Sequence, residues 1–171
     1  MKKVRRFCLL VLMFLSCTLC ACGEYAAMGT GVGLVGSFIA KAKNTVPDEQ
    51  KYYYDLENVV LYLDAYGELP LNYITKKEAK KRGWEGGSVE KYVKNAAIGG
   101  DYYGNFEKKL PKKKGIKYYE CDIDTHGYKN RGSRRLIYSN EGKYYYTQNH
   151  YESFREVTII NGKVKLGKEI R

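Results

Sequence analysis

Four residues late in the chain, Glu120, Arg131, Arg135 and His150, are of the types needed to cut a phosphodiester with side chains alone. A carboxylate can take the proton from a 2′-hydroxyl nucleophile, and an imidazole can return one to the departing 5′-oxygen. Guanidiniums between them can hold the charge of the phosphorane. Imidazole titrates near neutrality, which suits it to that exchange. Glu120 falls in a predicted strand, Arg131 and Arg135 in or beside the next, and His150 at the end of a third. Neighbouring antiparallel strands can bring such residues to one face. The spacing fits equally well a surface ion pair between Glu120 and an arginine, because strand charges usually face water.

Other chemistries lack their signatures. The two histidines, His126 and His150, have no second His or Cys at ligand spacing, so neither predicts a zinc site. Gly-x-Ser-x-Gly, a phosphate-cradling loop and a dinucleotide fingerprint are all missing from the sequence.

The elements that must position these residues can be read from local pattern. Leu56, Val59, Val60, Leu63 and Tyr66 recur on one helical face from Asp55 onward, with Gly67 as C-cap and Leu69-Pro70 disfavouring continuation. Thr75-Lys76-Lys77-Glu78 fits a capping box and predicts a helix from Lys76 to Arg82, stopped at Gly83. Its first residue is a lysine, the unfavourable sign for a helix N-terminus unless an anion is held there. A third short helix is expected from Ser88 to about Asn95, and Ile98-Gly-Gly-Asp101 reads as a turn into a loop. Strands are expected over 117–123, 135–139 and 143–148. Residues 155–160 and 163–166 should form a hairpin about a type I′ turn at Asn161-Gly162. Helices first and strands second predict an α+β fold, its N-terminal helices packed on one face of an antiparallel β-sheet.

The N-terminal region reads differently. Lys2, Lys3, Arg5 and Arg6 precede an apolar run, Phe7 to Phe14, that is too short to span a membrane. Leu19-Cys-Ala-Cys22-Gly resembles a bacterial lipobox, so residues 1–22 are expected to be an export signal and Cys22 a lipidated mature N-terminus. Residues 23–50, dotted with glycine, are expected to be a tether, with the domain over 51–171. The localisation that follows is secretion, or anchorage on the outer face of a bacterial membrane. Of five cysteines only Cys121 lies in the folded part, so no disulfide framework is available and Cys121 reads as a buried small hydrophobe. The chain of 171 residues carries a formal charge of +11, four units of it in the leader, which leaves a strongly basic domain suited to a polyanionic partner.

The stretch from Leu69 to Trp84 (LPLNYITKKEAKKRGW) resembles the barnase-type, guanyl-preferring microbial ribonucleases. Ile98-Gly-Gly-Asp101, Leu110-Pro111, Tyr119-Glu-Cys-Asp-Ile123, Arg135-Leu-Ile-Tyr-Ser139 and His150-Tyr-x-x-Phe154 follow in the same order, so the likeness covers about residues 55–157. It implies the microbial ribonuclease fold and cleavage of single-stranded RNA 3′ of guanosine through a 2′,3′-cyclic phosphate, with no metal or other cofactor. It also implies the roles. Glu120 becomes general base and His150 general acid, while Arg131 and Arg135 hold the phosphate and Lys76 binds the transition state. Asp101 orients that lysine. Glu107 receives the guanine edge beside the amides of Gly104, Asn105 and Phe106. Tyr103 and Tyr151 line the substrate pocket.

Several features depart from the family pattern. One extra residue separates Glu120 from Arg131, and Phe106 stands where arginine is usual. Cys121 follows the base, the loop after Trp84 is short, and a C-terminal strand extends past the usual end. His126 reads as a loop residue without a role. The expected partners are single-stranded RNA, a membrane through the Cys22 lipid, and a barstar-like acidic inhibitor protein, with the chain itself a monomer. Two other readings remain: a catalytically weak module that binds nucleic acid or wall polymer, and an antibacterial toxin with a cognate inhibitor.

Overall fold

A computed structural model describes residues 46–171. The export signal, Cys22 and most of the 23–50 tether lie outside these residues. The first helix, α1 (Leu56–Tyr66), starts at Asp55, whose carboxylate accepts the Asn58 amide at 3.0 Å, and ends on left-handed Gly67 with φ +72°. A cap of this kind contributes about 1 kcal/mol. The end of the expected tether packs against this helix: Tyr66 donates to the Pro47 carbonyl at 2.8 Å and Tyr62 to that of Glu49 at 3.2 Å.

After α1 come β1 (Tyr73–Ile74), α2 (Lys76–Lys81), a single 3-10 turn (Val89–Lys91) and six further strands: β2 (Ala97–Tyr103), β3 (Tyr118–Asp122), β4 (Arg135–Ser139), β5 (Tyr144–Thr147), β6 (Phe154–Ile160) and β7 (Lys163–Ile170). The capping box forms as read, with the Glu78 amide donating to Thr75 Oγ1 and the Thr75 amide to Glu78 Oε2 at 2.9 Å. The strands lie in chain order across one sheet. Antiparallel pairing runs from β2 to β7, but β1 pairs with β2 in parallel. The sheet is therefore mixed rather than wholly antiparallel. The α2 segment supplies the crossover that a parallel pair requires.

Two other expectations are corrected. The third helix shrinks to one 3-10 turn, because Ser88 makes no side-chain cap. Ile98-Gly-Gly-Asp101 lies within β2 rather than forming a turn. A bulge falls there, with Gly99 opposite Cys121 and Asp101 opposite Glu120. Gly100 takes φ +90°, and a methyl group on Gly99 would lie 2.6 Å from both Cys121 Cβ and Tyr73 Cδ1. The glycines serve a bulge and a close backbone approach, which sequence pattern does not separate from a turn.

Strand alternation sorts the interior. Val59, Val60 and Leu63 of α1 share one core with Cys121, Ile123, Leu136, Tyr144 and Val157. Each buried aliphatic side chain there contributes about 1.5–3 kcal/mol. A second core joins Leu110, Tyr118, Ile137, Tyr145 and Phe154. By the two-residue period, Glu120 and Asp122 share the sheet face of Tyr118, while Cys121 faces the α1 core. A third, smaller core of Ala79, Trp84, Val89, Ala96 and Ile98 seats α2 beside β1 and β2.

Candidate active site

Glu120 comes from the middle of β3 and is almost wholly buried. Its partners are a cation and a phenol, not an arginine. The Lys76 ammonium hydrogen-bonds Oε1, and the Tyr151 hydroxyl donates to Oε2 at 2.5 Å. Burial pushes the Glu120 carboxyl up, but these two hydrogen bonds outweigh it and hold the group below the ordinary carboxylate range. Glu120 is thus an ionised, aimed carboxylate in a half-enclosed site. The same bond and the burial of the Tyr151 ring drive its phenol well up, so Tyr151 remains a donor.

Lys76 is the first residue of α2. Asp101 accepts the Lys76 backbone amide at 2.9 Å. Asp101 therefore places its negative charge at the positive end of the helix and acts on Lys76 through the main chain; its contact is not with the ammonium. This anion offsets the cost of starting a helix with a lysine.

The arginines converge on a residue that sequence pattern did not single out. Asp122 is buried and receives Arg131 Nε at 2.7 Å and Arg131 Nη2 at 2.8 Å, with Arg135 Nε 3.0 Å away. That last contact is off the line of a hydrogen bond. Arg135 Nη1 instead donates to the carbonyls of Arg134 at 2.7 Å and Arg131 at 3.2 Å. Among the described residues Arg131 Nη1 and Arg135 Nη2 have no hydrogen-bond partner, and both side chains line the cleft. Burial pushes the Asp122 carboxyl up, while the two guanidiniums pull the other way. The bidentate fork keeps the pair ionic at neutral pH. The Arg131 guanidinium also lies 5.6 Å from the centre of the Trp84 ring.

His150 and Tyr151 both adopt left-handed backbone, with φ +56° and +73°. Such residues cost of order 1–3 kcal/mol each and persist only where neighbours enforce them. The enforcement is a polar knot: Thr147 Oγ1 accepts the Tyr151 amide at 3.0 Å and donates to Asn149 Oδ1 at 3.0 Å. Ser133 accepts the His150 amide at 3.1 Å. The tight turn after β5 thereby presents successive side chains to one cleft. The Tyr151 ring stacks on Tyr103 at 5.4 Å. Burial, Glu107 and Glu120 push the Tyr103 phenol up to about 12.

The cleft has a volume of about 670 Å3. It brings together Lys76, Tyr103, Gly104, Phe106, Glu107, Glu120, Arg131, Arg135, His150 and Tyr151 of the predicted set. Asp101 stands behind it. Asn105 spends its side-chain amide on the loop itself, donating to the Leu110 carbonyl at 2.8 Å and accepting its amide at 3.1 Å. The backbone amides of Asn105 and Phe106 bond no acceptor among the described residues, so they remain available at the loop. Phe106 is 88% exposed, its ring folded over Gly104 so closely that a methyl group there would lie 2.3 Å from Cε2. Lys109, also missed in the sequence, ties this loop to the turn of the acid by donating to the Tyr151 carbonyl at 3.3 Å. His126 stays in a loop away from the cleft, 2.6 Å from Glu90 Oε1, its ring stacked on Tyr54.

A family model for ribonuclease matches residues 57–158, the span that carries every member of this constellation. The chain belongs to the ribonuclease family. Within that family it is 36% identical over 104 residues to the ribonuclease of Heyndrickxia coagulans, a match covering 59% of this chain and 94% of that protein. The identity to the ribonuclease of Bacillus intermedius is also 36% over 104 residues, but the match covers 63% of that protein. The guanyl-specific ribonuclease St of Saccharopolyspora erythraea is 40% identical over 62 residues, or 36% of this chain and 60% of the relative. The match ends within β6, so β7 lies beyond the segment that defines this chain as a ribonuclease.

Proposed function

We propose that this member of the ribonuclease family is an endoribonuclease that cuts single-stranded RNA on the 3′ side of guanosine, without a metal. The observation that carries the reading is the buried Glu120 carboxylate, held ionised by Lys76 and Tyr151 in the cleft that His150 lines. Glu120 takes the 2′-hydroxyl proton. The 2′-oxygen attacks phosphorus, and the 5′-oxygen leaves with a proton from His150, giving a 2′,3′-cyclic phosphate. Water then opens the ring with the two roles reversed. Arg131, Arg135 and Lys76 supply the positive charge that a metal would otherwise provide at the phosphorane. DNA lacks the nucleophile and is not cut.

Glu107 and the unpaired amides of the 104–106 loop suit the donor and acceptor edge of guanine, with Tyr103 beneath the base. The guanyl-specific relative supports the same preference. The export signal and Cys22 support action outside the cell, on a lipid tether. The test is incubation with short single-stranded RNAs differing at one base, in excess EDTA. Cuts confined to the 3′ side of guanosine support the reading. Cuts after every base would remove the guanine role of Glu107, and no cut with salt-sensitive RNA binding intact would leave a binding module.

A further inference from the structure

The loop between β2 and β3 walls a second groove, of about 380 Å3, on the far side of Phe106. Tyr102, Tyr103, Gly104 and Phe106 line both this groove and the catalytic cleft, so the two share a wall. Lys108, Lys112 and Lys113 line the groove, and no carboxylate does. Resting on the endoribonuclease reading, we propose that this groove binds the single-stranded RNA that runs on from the bound guanosine. The lysines meet its phosphates, and the exposed rings of Phe106 and Tyr102 stack its bases.

Charge points the same way. Residues 108–117 hold six lysines and no acid. Among the described residues Lys113 is shared with Glu141 at 3.2 Å, whereas Lys108 and Lys112 have no carboxylate partner. Like charges packed this densely repel, and an anionic strand relieves that repulsion while releasing counterions. The lysines also project from a fixed support. Leu110 is buried in the core beneath them, Asn105 grips its backbone from both sides, and Tyr118 donates to the Pro111 carbonyl at 2.7 Å. A preorganised cationic loop loses little entropy on binding. Phe106 at 88% exposed and Tyr102 at 66% exposed are large rings left in water between two nucleotide-sized spaces, an arrangement that suits base stacking. A lipid surface would use the lysines but has no call on stacking rings along a wall shared with the cleft.

The test compares the full chain with a Lys108→Gln/Lys112→Gln variant, after a thermal melt shows both folded. The binding probe is a 2′-O-methyl RNA of about ten nucleotides with one guanosine, which cannot be cut because its nucleophile is blocked. Each phosphate released from a single strand lowers the slope of log affinity on log salt by about 0.7, so the variant's slope is expected to fall by about 1.4. Between about 50 and 200 mM salt that amounts to about a sevenfold difference in the affinity lost. Cleavage of an unmodified guanosine dinucleotide is expected to be unchanged, because it does not reach the groove. An unchanged slope, or a parallel fall in dinucleotide cleavage, would overturn the proposal. So would a variant that loses binding to phosphatidylglycerol vesicles while keeping its RNA affinity. Lysine-dependent oligomer binding by a native chain that cuts no RNA would instead keep the groove and refute the nuclease.

Discussion

Replacing Asp122 with asparagine should damage both stability and catalysis, although this carboxylate touches no substrate. It is buried, receives two bonds from Arg131 at 2.7 and 2.8 Å, and faces Arg135 Nε at 3.0 Å. Asparagine keeps the shape but removes the charge and turns an N–H donor toward a guanidinium donor. The side chain of Arg135 is 3% exposed, so water cannot take over as its counterion. Breaking a buried pair from one side costs about 3–5 kcal/mol. For a domain of this size the loss corresponds to a fall in Tm of roughly 10–20 °C. Thermal unfolding measures that term, and steady-state cleavage of a guanosine-containing RNA measures the other. The value of kcat/KM should fall about 10²-fold or more, as for the loss of one charge-stabilising donor, because neither guanidinium is held at the phosphate. An asparagine variant that melts within about 3 °C of the native protein, with kcat/KM intact, would refute the claim that Asp122 organises the arginines.

Four further outcomes follow from the same geometry. Tyr151→Phe removes a bond that lowers the Glu120 carboxyl, so the acidic limb of the rate profile should move to higher pH; an unmoved limb would detach Tyr151 from the base. Glu120 sits below its ordinary range when folded. Its contribution to stability is therefore complete above the unfolded carboxyl range and is lost as pH falls through the folded value. Urea unfolding followed from about pH 7 to about pH 3 should show a shallower loss in Glu120→Gln than in the native chain. Gly99→Ala forces a methyl group to 2.6 Å from Cys121 Cβ and should cost about 1–3 kcal/mol by chemical denaturation. Gly104→Ala displaces only the exposed Phe106 ring, so stability should hold within about 0.5 kcal/mol while the ratio of guanosine to adenosine cleavage changes.

Local signals carried much of the fold. The α1 face, its Gly67 cap and the Thr75–Glu78 box are short-range patterns, and each formed where the residues pointed. The Asn161-Gly162 hairpin formed too, with φ +52° and +71°, as a type I′ turn requires. Its second strand runs on to Ile170 rather than stopping at Leu166. What failed was non-local. The parallel partner of β1 and the bulge at Gly99 and Gly100 depend on chain segments that meet only after folding. In the site, the catalytic types could be read from composition and order, but their supports could not. Asp122 carried a usable signal: it lies two residues beyond Glu120 in one strand, so the period of the strand puts both on one face. Lys109 carried none, because its partners are backbone carbonyls of a distant turn. Asp101 was placed correctly but acts on the Lys76 amide, a distinction that only the geometry of the helix N-terminus reveals.

The central claim is that Glu120 and His150 exchange the protons of phosphodiester cleavage. The most direct measurement is kcat/KM against pH, on a single-guanosine RNA in EDTA, for the native chain, Glu120→Ala and His150→Ala. The native profile should be a bell, with Glu120→Ala losing the acidic limb, His150→Ala the alkaline limb, and each falling about 10²- to 10⁴-fold at the optimum. A bell that keeps both limbs and its height in either variant would contradict the assignment.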